Sequence, residues 1–195
     1  MQESARHTSA TGIDLLIDRL DAAVRTEGVP DLTHEVKRIL EDLIGRSAIR
    51  LPEPLREPRR DCYARRLVHR DGERRFTVVA MIWGPGQHTE LHDHAGMWCV
   101  ESVLQGELDV TQFDLVEERD GRCRFVRQSK VRAGVGEAGC LIPPYEYHML
   151  ENPLKDRTSI TLHVYGGEME RCNLYLPESD DWWRRTAKRL EYDPA

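Results

Sequence analysis

The sequence predicts a mainly β protein carrying two helices at its N-terminal end. Three observations predict it. Two amphipathic stretches with helical spacing open the chain. A proline-rich stretch then breaks that pattern, and from about residue 62 short apolar or alternating runs are separated by glycine-bearing turns. Many short strands with closely spaced turn signals fold as a sandwich or barrel. A chain of 195 residues is long enough for one domain with a hydrophobic core. We expect a helical segment, residues 1–50, packed on a barrel formed by residues 51–195, one domain in all.

In "GIDLLIDRLDAAVRTEG", Ile13, Leu16, Ile17, Leu20 and Val24 recur at helical spacing with charges opposite. Gly28 and Pro30 are expected to end this helix. A second helix is expected in "DLTHEVKRILEDLIG", with Val36, Ile39, Leu40 and Leu43 as its apolar stripe and Gly45 as its stop. "LPEPLREP" cannot continue a helix and reads as a linker. "CYARRLVHR" and "RRFTVVAMIW" flank "DGE", a hairpin signal. Further strands are expected in "WCVESVLQG", "ELDVTQFDLV", "RCRFVRQSKV", "GCLIPP", "TSITLHVYGG" and "MERCNLYLP". The last amphipathic piece, "DDWWRRTAKRLEY", is expected to be a short helix.

Hydrophobic residues make up 39% and charged residues 32%, a soluble and globular composition. No apolar run has the length of a membrane span, and "MQESARHTSATG" has no apolar signal core, so a cytoplasmic protein is expected. The net charge is -6, and the densest basic stretch, "REPRRDCYARR", is too isolated for a nucleic-acid footprint. No nucleic-acid or membrane partner is expected, and the chain should be a monomer or a weak homo-oligomer. Cys62, Cys99, Cys123, Cys140 and Cys172 are odd in number and have no CxxC spacing, which argues against a disulfide framework or a zinc ribbon.

Chemistry gathers around histidine. His92 and His94 lie two apart in an expected strand, so they share a face, with Asp93 on the other. Each buried imidazole needs a partner for its acceptor nitrogen, and a metal supplies one. His148, after the proline pair of "GCLIPPYEYHMLEN", is the expected third ligand. His7, His34, His69 and His88 read as surface or core residues. Thr161, His163 and Tyr165 also alternate and share a face. A tyrosine inside a barrel needs a hydrogen-bond partner. We expect His163 to orient Tyr165 and Thr161 to orient His163.

These residues resemble the cupins. Gly86, His92, His94 and Gly106 hold the frame of the first cupin motif, with Cys99 where a glutamate is usual. Pro143, His148 and Asn152 fit the second, with Tyr145 where glycine is usual. The resemblance implies a double-stranded β-helix, or jelly-roll, barrel with a metal in its mouth. Loss of the glutamate leaves three neutral ligands, which suits Fe(II) with open positions for substrate and oxygen. Zinc with a water is equally compatible with this ligand set.

Within the cupins, three features resemble the thiol dioxygenases, cysteine dioxygenase above all. They are the "HDH" to "WC" segment, "SITLHVYGG" and "CYARRL". The resemblance implies Fe(II) on His92, His94 and His148, and oxidation of a small thiol by O2 to its sulfinic acid. Arg65, two after Tyr63, is the implied grip on a substrate carboxylate. Thr161, His163 and Tyr165 are the implied relay beside the iron, and Cys172 the implied cysteine near the pocket. Cys99 has three readings: a plain core thiol, a thiol beside Tyr165, or a thioether to it. L-cysteine is the implied substrate, with 3-mercaptopropionate or another small thiol acid next. Gly166, Gly167 and Glu168 depart from the Ser-Pro-Pro of the animal enzymes, which bears on substrate choice. Two readings stand against this one: a different metal-dependent cupin chemistry, and a non-catalytic small-molecule sensor.

Overall fold

The computed structural model describes residues 12–178 and 181–194, so His7 lies outside the described residues. Two helices, α1 (Gly12–Ala23) and α2 (Val29–Gly45), precede eleven strands. These are β1 (Ala64–Arg70), β2 (Thr77–Trp83), β3 (Leu91–His92), β4 (Cys99–Gln105), β5 (Leu108–Arg119), β6 (Arg122–Ala133), β7 (Ala138–Leu141), β8 (His148–Glu151), β9 (Ser159–Tyr165), β10 (Arg171–Pro177) and β11 (Trp182–Arg189). β1, β2, β9, β4 and β7 form one antiparallel sheet in that order. β10, β11, β6, β5, β8 and β3 form a second set. Its ends meet because β3 pairs with both β8 and β10. The whole is a double-stranded β-helix with the helices on the outside.

Period two explains why the first sheet is buried on both faces. In β2, Val78, Ala80 and Ile82 join the helix-side core, while Val79, Met81 and Trp83 join the barrel core. β9 repeats the division: Ile160, Leu162 and Val164 meet the helix side, and Ser159, Thr161, His163 and Tyr165 take the other face. The helix-side core is completed by Leu16 and Leu20 of α1 and by Val36, Ile39, Leu40 and Leu43 of α2. Fully burying one such aliphatic side chain contributes about 1.5–3 kcal/mol. α2 lies against β4 and β7, which places the helices behind the sheet that carries the polar row.

Two sequence expectations change. Pro30 does not end the first helix. It sits in the first turn of α2, where its missing N–H is no loss. "DDWWRRTAKRLEY" is a strand, not a helix: β11 pairs with β10 from Arg171↔Arg189 to Pro177↔Trp183 and begins a second ladder with β6. Most of its side chains are exposed, so side-chain pattern had little to decide, and the unpaired backbone edge of β10 decided it instead. The "LPEPLREP" linker contains a single 3-10 turn, Glu53–Arg56. The β5–β6 hairpin turns at Asp120 and Gly121, whose φ values of 54° and 76° are both positive, as a two-residue hairpin turn requires.

Gly106 ends β4 at φ +77°, and a Cβ there would lie 2.5 Å from Ser159 Oγ. That hydroxyl donates to the Glu107 carbonyl at 2.6 Å and accepts the Glu107 N–H at 3.1 Å. Gly106→Ala should therefore cost about 2 kcal/mol from backbone strain and the lost clasp. Urea denaturation checks this. An unchanged midpoint would show that the clasp yields freely.

Candidate metal centre and its cavity

β3 is only two residues long, so His94 lies beyond the strand that was expected to hold it. The pair still converges. His92 faces His148 directly across the β3–β8 pairing, and their Nε2 atoms are 3.2 Å apart. One ligand atom from each of His92, His94 and His148 lies within 4.8 Å of the others. Acidic groups hold the loop. Asp93 turns away and accepts from the Asn173 N–H at 2.9 Å, Asn173 Nδ2 at 2.7 Å and the Tyr175 hydroxyl at 2.9 Å. Glu146 Oε2 accepts the His94 backbone N–H at 2.8 Å and lies 3.8 Å from its Nδ1.

Protonation favours a cation. His92 Nδ1 lies 2.9 Å from the Glu90 carbonyl, which can only accept, so Nδ1 carries the proton and Nε2 offers a lone pair. Burial lowers the pKa of all three histidines, well below the usual range for His94 and His148, where His92 beside them adds to the effect. Neutral imidazoles with convergent lone pairs are the donor set that a divalent transition metal takes. A cation accepting the facing Nε2 lone pairs satisfies both at once.

The three histidines open into a cavity of about 170 Å³ that also gathers Tyr63, Arg65, His163, Tyr165 and Cys172. Arg65 is 6% exposed and makes no ion pair among the described residues. Its guanidinium donates to the carbonyls of Glu191 (3.1 Å) and Met169 (3.4 Å) and lies over the Tyr192 ring. Tyr63 packs against Trp83 with centroids 4.7 Å apart and planes tilted by 32°, and burial raises its hydroxyl to about 12. Burial likewise raises the Cys172 thiol to about 11. Cys172 faces Lys188 across the β10–β11 pairing, and Lys188 lines the same cavity. His34 and His88 are exposed and His69 is half-buried at the end of β1. Of these three, His88 reaches the cavity rim.

Cys99 stands directly opposite Tyr165 across β4 and β9. Its thiol is free, and burial pushes both the thiol and the phenol well above their usual ranges. The Tyr165 ring lies edge-on to His94, with centroids 5.8 Å apart. The Thr161–His163 leg of the expected relay is present, and the His163–Tyr165 leg is a ring contact. His163 stacks beside Tyr165 at 6.0 Å between centroids, but its nitrogens point elsewhere. Nε2 is 2.8 Å from Thr161 Oγ1, and Nδ1 is 3.4 Å from Glu101 Oε2. Trp83 Nε1 donates to Thr161 Oγ1 at 3.0 Å.

Sequence reasoning missed Glu101, Glu146, Trp83 and Lys188. Glu101 had a signal: a carboxylate in the middle of "CVESVLQ", at the same parity as Cys99. Lys188 had none, because its strand was expected to be a helix.

A double-stranded β-helix with three histidines converging inside it defines a cupin barrel able to hold a metal ion. The chain belongs to the cysteine dioxygenase type I family, which it matches over residues 59–177. It is 25% identical over 113 residues to cysteine dioxygenase type 1 of Rattus norvegicus, covering 58% of this chain and 55% of the rat protein. It is 27% identical over 143 residues to the Danio rerio protein of that name, covering 67% and 68% respectively. The chain thus spans about half the length of the rat relative. Among solved structures, TT1209 from Thermus thermophilus aligns at TM-score 0.47 and 19% identity over 61% of this chain and 96% of that one. An uncharacterized conserved protein with a double-stranded beta-helix domain from Klebsiella pneumoniae aligns at 0.46 and 19%, over 65% and 95%.

The acidic groups give a pH prediction. Burial raises Glu101 from 4.5 to about 8. The unfolded chain then releases this proton at lower pH than the folded one, so stability falls as pH rises from about 4.5 through about 8. His163, lowered to about 3, has the opposite slope and acts below its ordinary pKa of 6.5. Glu101→Gln should therefore gain Tm over the parent protein at pH 8 and lose that advantage at pH 5. Thermal unfolding of metal-free protein measures it. An equal difference at both pH values would mean that Glu101 ionises as an exposed carboxylate does.

Proposed function

We propose that the protein is a mononuclear Fe(II) thiol dioxygenase that converts a small carboxylate-bearing thiol, L-cysteine by preference, and O2 to the sulfinic acid. The observation that carries this reading is the shared cavity. Three neutral imidazoles able to hold one metal face a buried arginine that has no acidic partner among the described residues. Membership of the cysteine dioxygenase family supports the same reaction class.

His92, His94 and His148 would hold the iron, which when bound supplies the electron exchange that joins a thiolate to dioxygen. The balance is one thiol plus one O2 giving one sulfinic acid, with both oxygen atoms on sulfur. Arg65 binds the substrate carboxylate. Its side chain is steadied by backbone carbonyls, which leaves the charge itself for the ligand. A buried guanidinium without a counter-ion is costly, and a carboxylate ligand removes that cost. Lys188 adds a second positive charge on the same wall. Tyr63, packed against Trp83, borders the carboxylate end. Tyr165, beside His94, orients the reacting groups through its hydroxyl. Cys172 lines the wall next to Lys188. Holding thiol, carboxylate and oxygen in one enclosed space can lower the barrier by several kcal/mol. The opposed positions of Cys99 and Tyr165 support the thioether reading. Such a bond would leave the intact protein lighter by two hydrogen atoms. Five free thiols suit a reducing compartment and support a cytoplasmic setting.

The decisive assay is oxygen uptake by iron-loaded protein with L-cysteine and 3-mercaptopropionate in parallel, products identified by mass. A product two oxygens heavier is expected. No uptake with either thiol at full iron occupancy would overturn the reading in favour of a sensor or another cupin chemistry. Arg65→Ala should cut kcat/KM for carboxylate thiols by about 100-fold, the loss of a charge-assisted bidentate contact, while iron content stays near that of the parent. Equal loss of iron and activity would remove Arg65 from the substrate site. His148→Ala should abolish stoichiometric metal binding, read by metal analysis after dialysis.

A further inference from the structure

The barrel contains a second cavity, of about 240 Å³, walled by residues of β4, β5, β6 and β7. Glu101 and Thr161 line it. His163, which faces both of them, lines the histidine cavity. These three side chains form a polar partition between the two spaces. Among the described residues, no lysine or arginine lines the second cavity. Glu101 is 6% exposed, and its Oε2 has no hydrogen-bond partner within ordinary geometry. His163 Nδ1 is buried and equally unpartnered, 3.4 Å away. Two buried polar atoms this close, each without another partner, become each other's partner after a small rotation of either side chain.

The tautomer of His163 is decided at its Nδ1 side. Trp83 Nε1–H can only donate, so Thr161 Oγ1 accepts it. A hydroxyl has one proton and two lone pairs, so Thr161 can still either donate to His163 Nε2, 2.8 Å away, or accept from it. An acceptor beside Nδ1 selects the first arrangement, in which the neutral ring carries its proton on Nδ1, 3.4 Å from Glu101 Oε2. Burial keeps the ring neutral, and a carboxyl oxygen accepts this N–H in either protonation state of Glu101.

We propose that Glu101 is a positioning residue for His163: its Oε2 accepts the Nδ1–H, fixing the tautomer of the ring and the plane in which it stacks against Tyr165. Four residues on three adjacent strands, Trp83, Thr161, His163 and Glu101, thus form one directed hydrogen-bond chain behind the tyrosine. The cross-strand register places them so, with Glu101 directly opposite His163 and Val79 on its other side. The effect on turnover rests on the thiol dioxygenase reading; the tautomer does not.

The test uses metal-free protein with ¹⁵N-labelled histidine and long-range ¹H–¹⁵N correlation spectra. The parent protein should show His163 as the Nδ1–H tautomer. Glu101→Gln, whose amide oxygen can still accept, should keep it. Glu101→Leu, of similar volume and without an acceptor, should shift the ring to the Nε2–H form or to a mixture. A Glu101→Leu spectrum with His163 unchanged would overturn the proposal, as would an Nε2–H ring in the parent. In iron-loaded protein, Glu101→Leu should lower kcat about tenfold, as loss of an orienting partner does, with KM within about twofold, and Glu101→Gln should restore most of it. The expected tautomers without any thiol oxidation would sink the functional reading and leave this one standing. Thiol oxidation with an unchanged His163 spectrum in Glu101→Leu would do the reverse.

Discussion

The inward face of β9 carries Ser159, Thr161, His163 and Tyr165, all almost fully buried. Each must find a partner from a neighbouring strand. Ser159 is clasped to Glu107, Thr161 to Trp83 and His163, and Tyr165 stands against Cys99. The remaining buried nitrogen of His163 falls to Glu101. That row fixes the register of β2, β9 and β4, because a slip of one residue would turn the polar row onto the helices and the aliphatic row into the cavity. The helices follow from the same constraint. Ile160, Leu162 and Val164 occupy the outer face, and α1 and α2 supply the apolar surface that covers it.

The histidine cavity is organised by charge. Its three convergent imidazoles are neutral, its walls bring Arg65 and Lys188, and the acids nearest the histidines are turned to structural work. Asp93 fastens the loop to β10, and Glu146 holds the backbone of His94. A loop outside a strand can therefore present His94 as firmly as a strand would. Arg65 is gripped by the carbonyl oxygens of Met169, before β10, and Glu191, after β11, and by the face of Tyr192, which orient a guanidinium without neutralising it. The segment that ends the described chain thus shapes the site even though it contributes no ligand.

Local pattern revealed most of the strands and both helices, since two-residue and 3.6-residue periods are written in the chain itself. It also revealed His92, His94, His148 and the alternation of Thr161, His163 and Tyr165. It failed where the answer lay in another strand. β11 is mostly exposed, so its residues carry little burial pattern, and it became a strand because β10 and β6 needed a backbone partner. Lys188 was hidden with it. His163 meets Tyr165 only as a ring contact, because one of its nitrogens is taken by Thr161 along the strand and the other faces Glu101 across the ladder.

The sequence by itself determined the mainly β barrel, the helical cover, the three candidate ligands and the parity of the polar row, because these depend on spacing along one chain. Only the tertiary structure decided which partners the buried polar atoms find, that Arg65 lacks an acidic partner among the described residues, and that Glu101 lines one cavity while facing a histidine of the other. Those facts depend on distances between residues far apart in sequence. A hydrogen bond or an uncompensated charge is a property of such a distance and not of either residue alone.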